Sequence, residues 1–194
     1  MLKTLQCLIN SKCREALSDI DDFDDWNADK AEARTACLLL IKYIKSTYRK
    51  YHKLKFTTEP KSPYYFMQAY IEREIHPYFV IKLGEGVIPK EADPTEALKA
   101  FFKHIDVLQN PPESKRLAYM ASSFHARDTD FLVTDYMEPY GSEAAIDAPE
   151  FHKNDDGSAT LTYALKRDGR SITVTRCTLH IAPDYTVKLD IQSN

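Results

Sequence analysis

The chain has 194 residues, 43% of them hydrophobic and 28% charged, with a formal net charge of −3. That length suits one domain, or one domain with a helical extension, and folding should hide about 70% of the unfolded chain's surface. A core can therefore form without metal or disulfide staples, and the acidic balance argues against non-specific binding to nucleic acid or anionic membrane.

The N-terminal MLKTLQCLINSKCREAL has no continuous hydrophobic region, because Lys3, Gln6, Asn10 and Lys12 interrupt it. The longest apolar run, Ala36 to Ile41, is far short of the ~20 residues that a membrane span needs. With no export signal, Cys7, Cys13, Cys37 and Cys177 are expected to be reduced thiols of a cytoplasmic protein. No C-x-x-C pair points to structural zinc, and no cofactor is implied.

In chain order, Leu2, Leu5, Cys13 and Leu17 suggest a first helix over 2–18, followed by an acidic break at Asp19–Asp25. Cys37, Leu40, Ile41, Ile44, Tyr48 and Tyr51 make a continuous stripe, which predicts a second helix from about Ala28 to Leu54. Ser62 and Pro63 read as the cap and first position of a third helix, Tyr64 to about Ile75, stopped by Pro77. Tyr78–Leu83 fits either a strand or a buried helical turn. Asp93-Pro94-Thr95-Glu96 is a capping box leading into a helix over Ala97–Leu108, and another is expected over Glu113–Phe124.

The character changes near residue 130. Phe131–Met137 reads as a strand, followed by an acidic loop to about Pro149. Asp156-Gly157, Asp168-Gly169 and Pro183-Asp184 then punctuate strands at Thr160–Arg167, Ser171–Ile181 and Tyr185–Ile191. Tight turns between sequential strands imply an antiparallel meander. In the middle strand the apolar parity flips between Val174 and Cys177, which predicts a β-bulge near Thr175–Arg176. The outer face should then carry Thr160, Thr162, Thr173, Thr178, His180, Thr186 and Lys188.

The expected fold class is α+β, with a mostly helical N-terminal two-thirds packed on a C-terminal antiparallel β-meander. Residues 1–56 would form a helical hairpin and 57–194 an α+β domain whose sheet spans about 131–191.

Four clusters carry residue types suited to chemistry or binding. Lys42, Lys45, Arg49 and Lys53 fall on one face of the expected second helix, with Tyr48 nearby, and suit phosphate contacts and base stacking. The Asp19–Asp25 segment has five aspartates in seven residues but lacks the glycine and terminal glutamate of an EF-hand. His125, Asp128 and Asp130, at the junction of helices and sheet, have the types for acid–base work. Glu72 and His76 are spaced i,i+4 and suit a surface ion pair. Thr173 and His180 on the outer sheet face are candidates for partner contact. The metal-free reading is preferred throughout.

The sequence thus suggests a non-enzymatic protein-binding accessory or inhibitor-type protein with a protein partner. Two alternatives are a small enzyme with a helix–sheet pocket using His125 and Asp128 or Asp130, and a nucleic-acid binder working through the second helix. Membrane association is not expected, and oligomeric state is left open.

Overall fold

The computed structural model describes residues 30–47, 53–58, 62–70, 78–90, 93–127, 130–133, 148–167 and 173–193. Among them are three helices and nine strands: α1 (Lys30–Thr47), β1 (Lys53–Thr58), β2 (Tyr64–Tyr70), β3 (Tyr78–Lys82), β4 (Gly86–Ile88), α2 (Thr95–His104), α3 (Ser114–Ser122), β5 (Asp130–Leu132), β6 (Glu150–Lys153), β7 (Ala159–Arg167), β8 (Thr173–Ile181) and β9 (Val187–Ser193). No described helix is long and apolar enough to cross a membrane. The expected helix over 2–18, the Asp19–Asp25 segment, Tyr48, Arg49, Glu72, His76, Asp128 and the Asp168-Gly169 turn lie outside the described residues.

The expectation of a mostly helical N-terminal two-thirds is overturned. Strands β1–β4 form a four-stranded antiparallel meander, and β5–β9 form a second antiparallel sheet. The expected third helix is strand β2, with Tyr64 paired to Lys82 and Gln68 to Tyr78. Its sequence misleads for a physical reason. Tyr64, Tyr65, Phe66 and Met67 are all buried, so β2 lacks the alternation of a half-solvated strand. A short apolar run of that kind has no helical or strand period of its own. Ser62 caps no helix: its Oγ accepts the Tyr64 N–H at 3.2 Å, and the chain beyond it extends as β2. The second helix is likewise shorter than expected: it is described over Lys30–Thr47, and Lys53 and Leu54 belong to β1.

The elements stack in four layers. Helix α1 lies against β3 and β4. Its buried stripe of Ala36, Cys37, Leu40, Ile41 and Ile44 matches the buried β-sheet residues Tyr65, Met67, Phe79 and Ile81, and Tyr43 meets Phe79 edge-on. Tyr64, Phe66, Tyr78 and Val80, at the alternate positions, join the main core instead. There they meet α2 and α3 through aromatic contacts such as Tyr64–Phe101 and Phe66–Phe124. Leu161, Tyr163, Leu165, Cys177, Leu179, Ile181 and Val187 close the same core from the second sheet.

Two hairpins of the second sheet use one turn design. Lys153 pairs with Ala159 and Ile181 with Val187, leaving five-residue connections at 154–158 and 182–186. In each, a backbone bond closes the turn (Gly157 N–H to Asn154 at 3.1 Å, Tyr185 N–H to Ala182 at 2.8 Å). In each, the next-to-last residue is left-handed, Gly157 at φ +81° and Tyr185 at φ +66°. An aspartate then holds the hydroxyl residue two positions on: Asp156 accepts the Ser158 N–H, and Asp184 accepts the Thr186 N–H, both at 2.9 Å.

The predicted bulge is also absent. Strands β7 and β8 pair without interruption from Ala159–Ile181 to Arg167–Thr173. Val174 has outward parity because it has a second apolar contact there, a small cluster with Val133 and Ala164. Parity alone read that outer cluster as a break in the ladder. The expected capping box does not form: Pro94 is the N-cap of α2 and no side chain caps it, while the Asp93 carboxylate accepts the Thr95 N–H at 3.0 Å and the Thr95 hydroxyl at 2.7 Å.

Candidate functional site

Two regions bring together chemically capable side chains. The first lies where α3 meets β7. The chain turns after Ser122, with His125 and Ala126 N–H groups both donating to the Ser122 carbonyl at 3.0 and 2.7 Å. This turn sets the His125 ring against Tyr163 of β7, where the phenol and imidazole Nε2 share a short hydrogen bond. Cys177 stands opposite Tyr163 in the ladder, on the same buried face.

Burial dominates the electrostatics here. It pushes His125 down to about 4, with the Asp130 charge opposing and the Lys90 charge adding to that shift. Burial pushes the Tyr163 phenol well above its ordinary range and the Cys177 thiol up to about 12. The three groups are therefore neutral near pH 7, and the Tyr163 hydroxyl and His125 Nε2 are engaged with each other. Such an imidazole is a weak base whose Nε2 already has a partner, and such a thiol supplies no thiolate.

Asp130 sits one step further along. Its Oδ1 accepts from Arg167 Nε at 2.7 Å and Nη2 at 2.5 Å, and its Oδ2 accepts the Arg127 N–H at 3.0 Å. Asp130 is 6% exposed, so this charge is neutralised by a cation and a backbone donor rather than by water. Lys90 completes the surround by donating to the Ala126 carbonyl at 2.6 Å. The structure thus brings His125 and Asp130 into one neighbourhood and gives each its own partner. Sequence reasoning missed Tyr163, Arg167 and Cys177, whose nearness follows only from the β5–β7–β8 register.

The second region is the outer face of the C-terminal sheet. Uninterrupted register arranges it in rows across the strands. His152, Thr160, His180 and Lys188 form one row, and Glu150, Thr162, Thr178 and Asp190 the next. Ala164, Arg176 and Gln192 form a third. His180 Nε2 lies 3.4 Å from the Asp190 carboxylate, which also takes Lys188 at 3.0 Å. Around Thr162, Ala164, Arg176 and Thr178, with Ala148 at the rim, the face is indented by a groove of about 240 Å³.

Of the residues singled out for binding, His180 is on this outer face, but Thr173 is not. Thr173 pairs with Arg167 and shares the parity of Cys177 and Leu179, because the ladder has no bulge to turn it outward. The proposed basic stripe is also divided: Lys42 is exposed on α1, Lys45 is on the same helix, and Lys53 belongs to β1. Among the described residues, no group of three or more His, Cys, Asp or Glu side chains could hold a metal ion. Comparisons with protein-family models, curated proteins and solved structures find no match to this chain.

Proposed function

We propose that this chain is a non-enzymatic, cytoplasmic protein-binding accessory or inhibitor-type protein that engages its partner through the outer face of the C-terminal sheet. The observation that carries this reading is the groove across β7 and β8. Its lining brings together the polar Thr162, Thr178 and Arg176 with the apolar Ala148 and Ala164. That mixture suits an acidic side chain presented by a protein surface, held by charge-assisted hydrogen bonds while the threonine methyls pack beside it. The rows of exposed polar residues on either side extend the contact. The cytoplasmic placement draws support from Cys37 and Cys177, neither of which is in a disulfide.

The enzymatic alternative draws less support, because His125 is engaged by Tyr163 and the Cys177 thiol is held protonated. The nucleic-acid alternative draws less support, because Lys53 of its helical stripe belongs to β1.

The test is affinity capture from the native host with the wild-type chain and the Thr178→Arg variant side by side. Thr178 is half-buried on the outer face, so arginine there fills the groove without entering the core. Capture of a partner by the wild type, reduced at least tenfold by the variant, is the expected result. Equal capture by both, or recovery of the bait alone, would overturn the proposal.

A further inference from the structure

We infer that a second copy of this chain pairs antiparallel with strand β9 about Leu189, joining two C-terminal sheets into one. Strand β9 ends the β5-β7-β8-β9 order, and no described strand lies on its far side.

The hydrogen-bonding phase of that edge follows from its hairpin. The Ala182 N–H donates to Thr186, so in an alternating antiparallel ladder the next hydrogen-bonded pairs are His180–Lys188 and Thr178–Asp190. The backbone groups of Val187, Leu189 and Ile191 consequently face the open edge. Only registers that match these residues with one another can bond.

Charge then selects among those registers. Lys188 and Asp190 project from the outer face. Pairing centred on Lys188 would set that lysine against its own copy, and pairing centred on Asp190 would oppose two aspartates. Like charges directly opposite are destabilising. Pairing centred on Leu189 sets Lys188 against Asp190 of the second copy, twice over by symmetry. On the inner face the same register lays Val187 against Ile191 of the second copy. Ile191 is 53% exposed, although its ladder partner Cys177 is 1% exposed. Ile191 thus has the parity of a core residue and yet stays more than half exposed. The Val187–Asp190 and Ile191 sequence is self-complementary in antiparallel pairing, in charge on one face and in apolar contact on the other. Charges that discourage foreign strands from a sheet edge here favour the chain's own copy. The groove on β7 and β8 stays open in such a dimer, so this inference stands apart from the partner-binding proposal.

Sedimentation equilibrium of the full chain tests it. The wild type is expected to reach twice its 22.3 kDa mass. Lys188→Asp and Asp190→Lys should each weaken the dimer roughly tenfold or more, since each replaces two attractions by two repulsions. The K188D/D190K double variant should restore it. As a check that needs no substitution, the Val187, Leu189 and Ile191 amides should exchange slowly in the dimer and quickly on dilution. A wild type that stays monomeric at the highest attainable concentration overturns the inference. So does a dimer indifferent to both single changes, or one whose edge amides exchange quickly.

Discussion

The Tyr185 hydroxyl donates to the Asp106 carboxylate, and these are the two non-glycine residues with positive φ among the described residues. Asp106 follows the last turn of α2 at φ 51°, and Tyr185 occupies the left-handed position of the β8–β9 turn at φ 66°. Gly157 fills the equivalent place in the β6–β7 turn, where no such bond is made. Left-handed backbone costs roughly 1–2 kcal/mol for a residue with a Cβ. A charge-assisted bond between two such residues offsets part of that cost and ties the middle helical layer to the sheet. Removing the hydroxyl in Tyr185→Phe should lower the unfolding free energy by about 1.5 kcal/mol. An unchanged urea midpoint would show that the bond contributes nothing.

The glycine of the companion turn gives the opposite control. A Cβ at Gly157 would meet only the Pro183 ring, at 3.9 Å, so space is not the obstacle there. The conformation is. Gly157→Ala should cost about 1 kcal/mol through backbone strain alone. The folded state should keep its circular dichroism spectrum while thermal unfolding moves to lower temperature.

The buried neutral cluster sets a pH window for stability. His125 takes up a proton near 6.5 when unfolded but only at about 4 when folded, so its stabilisation is complete above pH 6.5 and declines as pH falls toward 4. Cys177 loses its proton near 9 when unfolded and at about 12 when folded, so its stabilisation is complete below pH 9 and is lost as pH rises toward 12. The unfolding free energy should be flat between these limits as far as the two groups are concerned. On either side each changes it by up to about 1.4 kcal/mol per pH unit. A His125→Gln variant should flatten the acid limb specifically. An acid limb of the same slope in that variant would show that other groups set it.

Asp130 is expected to influence that window as well as its own ion pair. Asp130→Asn leaves the Arg167 guanidinium without its counter-ion. With Arg167 32% exposed, water takes up part of the charge, so the loss should be about 2 kcal/mol rather than the larger penalty of a fully buried pair. The Asp130 charge also holds His125 and Cys177 at higher values than burial and their other neighbours alone would set. In the asparagine variant the His125 ring should therefore titrate at lower pH in nuclear magnetic resonance spectra, while a shift upward would contradict the assigned coupling.

How much of this the sequence discloses depends on how each strand is buried. Strands β7 and β8 alternate apolar and polar residues, and glycine or proline beside aspartate marks the β6–β7 and β8–β9 turns, so the C-terminal meander is legible. Strand β2 is buried on both faces and its aromatic run resembles a helix core. Strand β6, Glu150–Lys153, has three exposed residues of four and a charge at each end, and so reads as loop. Val174 looks like a parity error until Ala164 and Val133 are seen beside it. For the candidate sites, His125 and Asp130 are visible as residue types in one short segment. Their partners Tyr163 and Arg167 lie 38 and 37 positions away and become neighbours only through the β5–β7 pairing and the α3 turn. The outer-face rows are similarly a product of register. Threonine at alternate positions is visible in each strand alone, whereas Thr162 beside Thr178 and Ala164 beside Arg176 are not.

The most direct test of partner recognition by the outer sheet face is hydrogen exchange across the chain, alone and in complex with the captured partner. New protection is expected to concentrate in β7 and β8, around Thr162, Ala164, Arg176 and Thr178, with helix α1 and sheet β1–β4 unchanged. Protection confined to α1 or to the first sheet, with β7 and β8 exchanging as in the isolated chain, would contradict it.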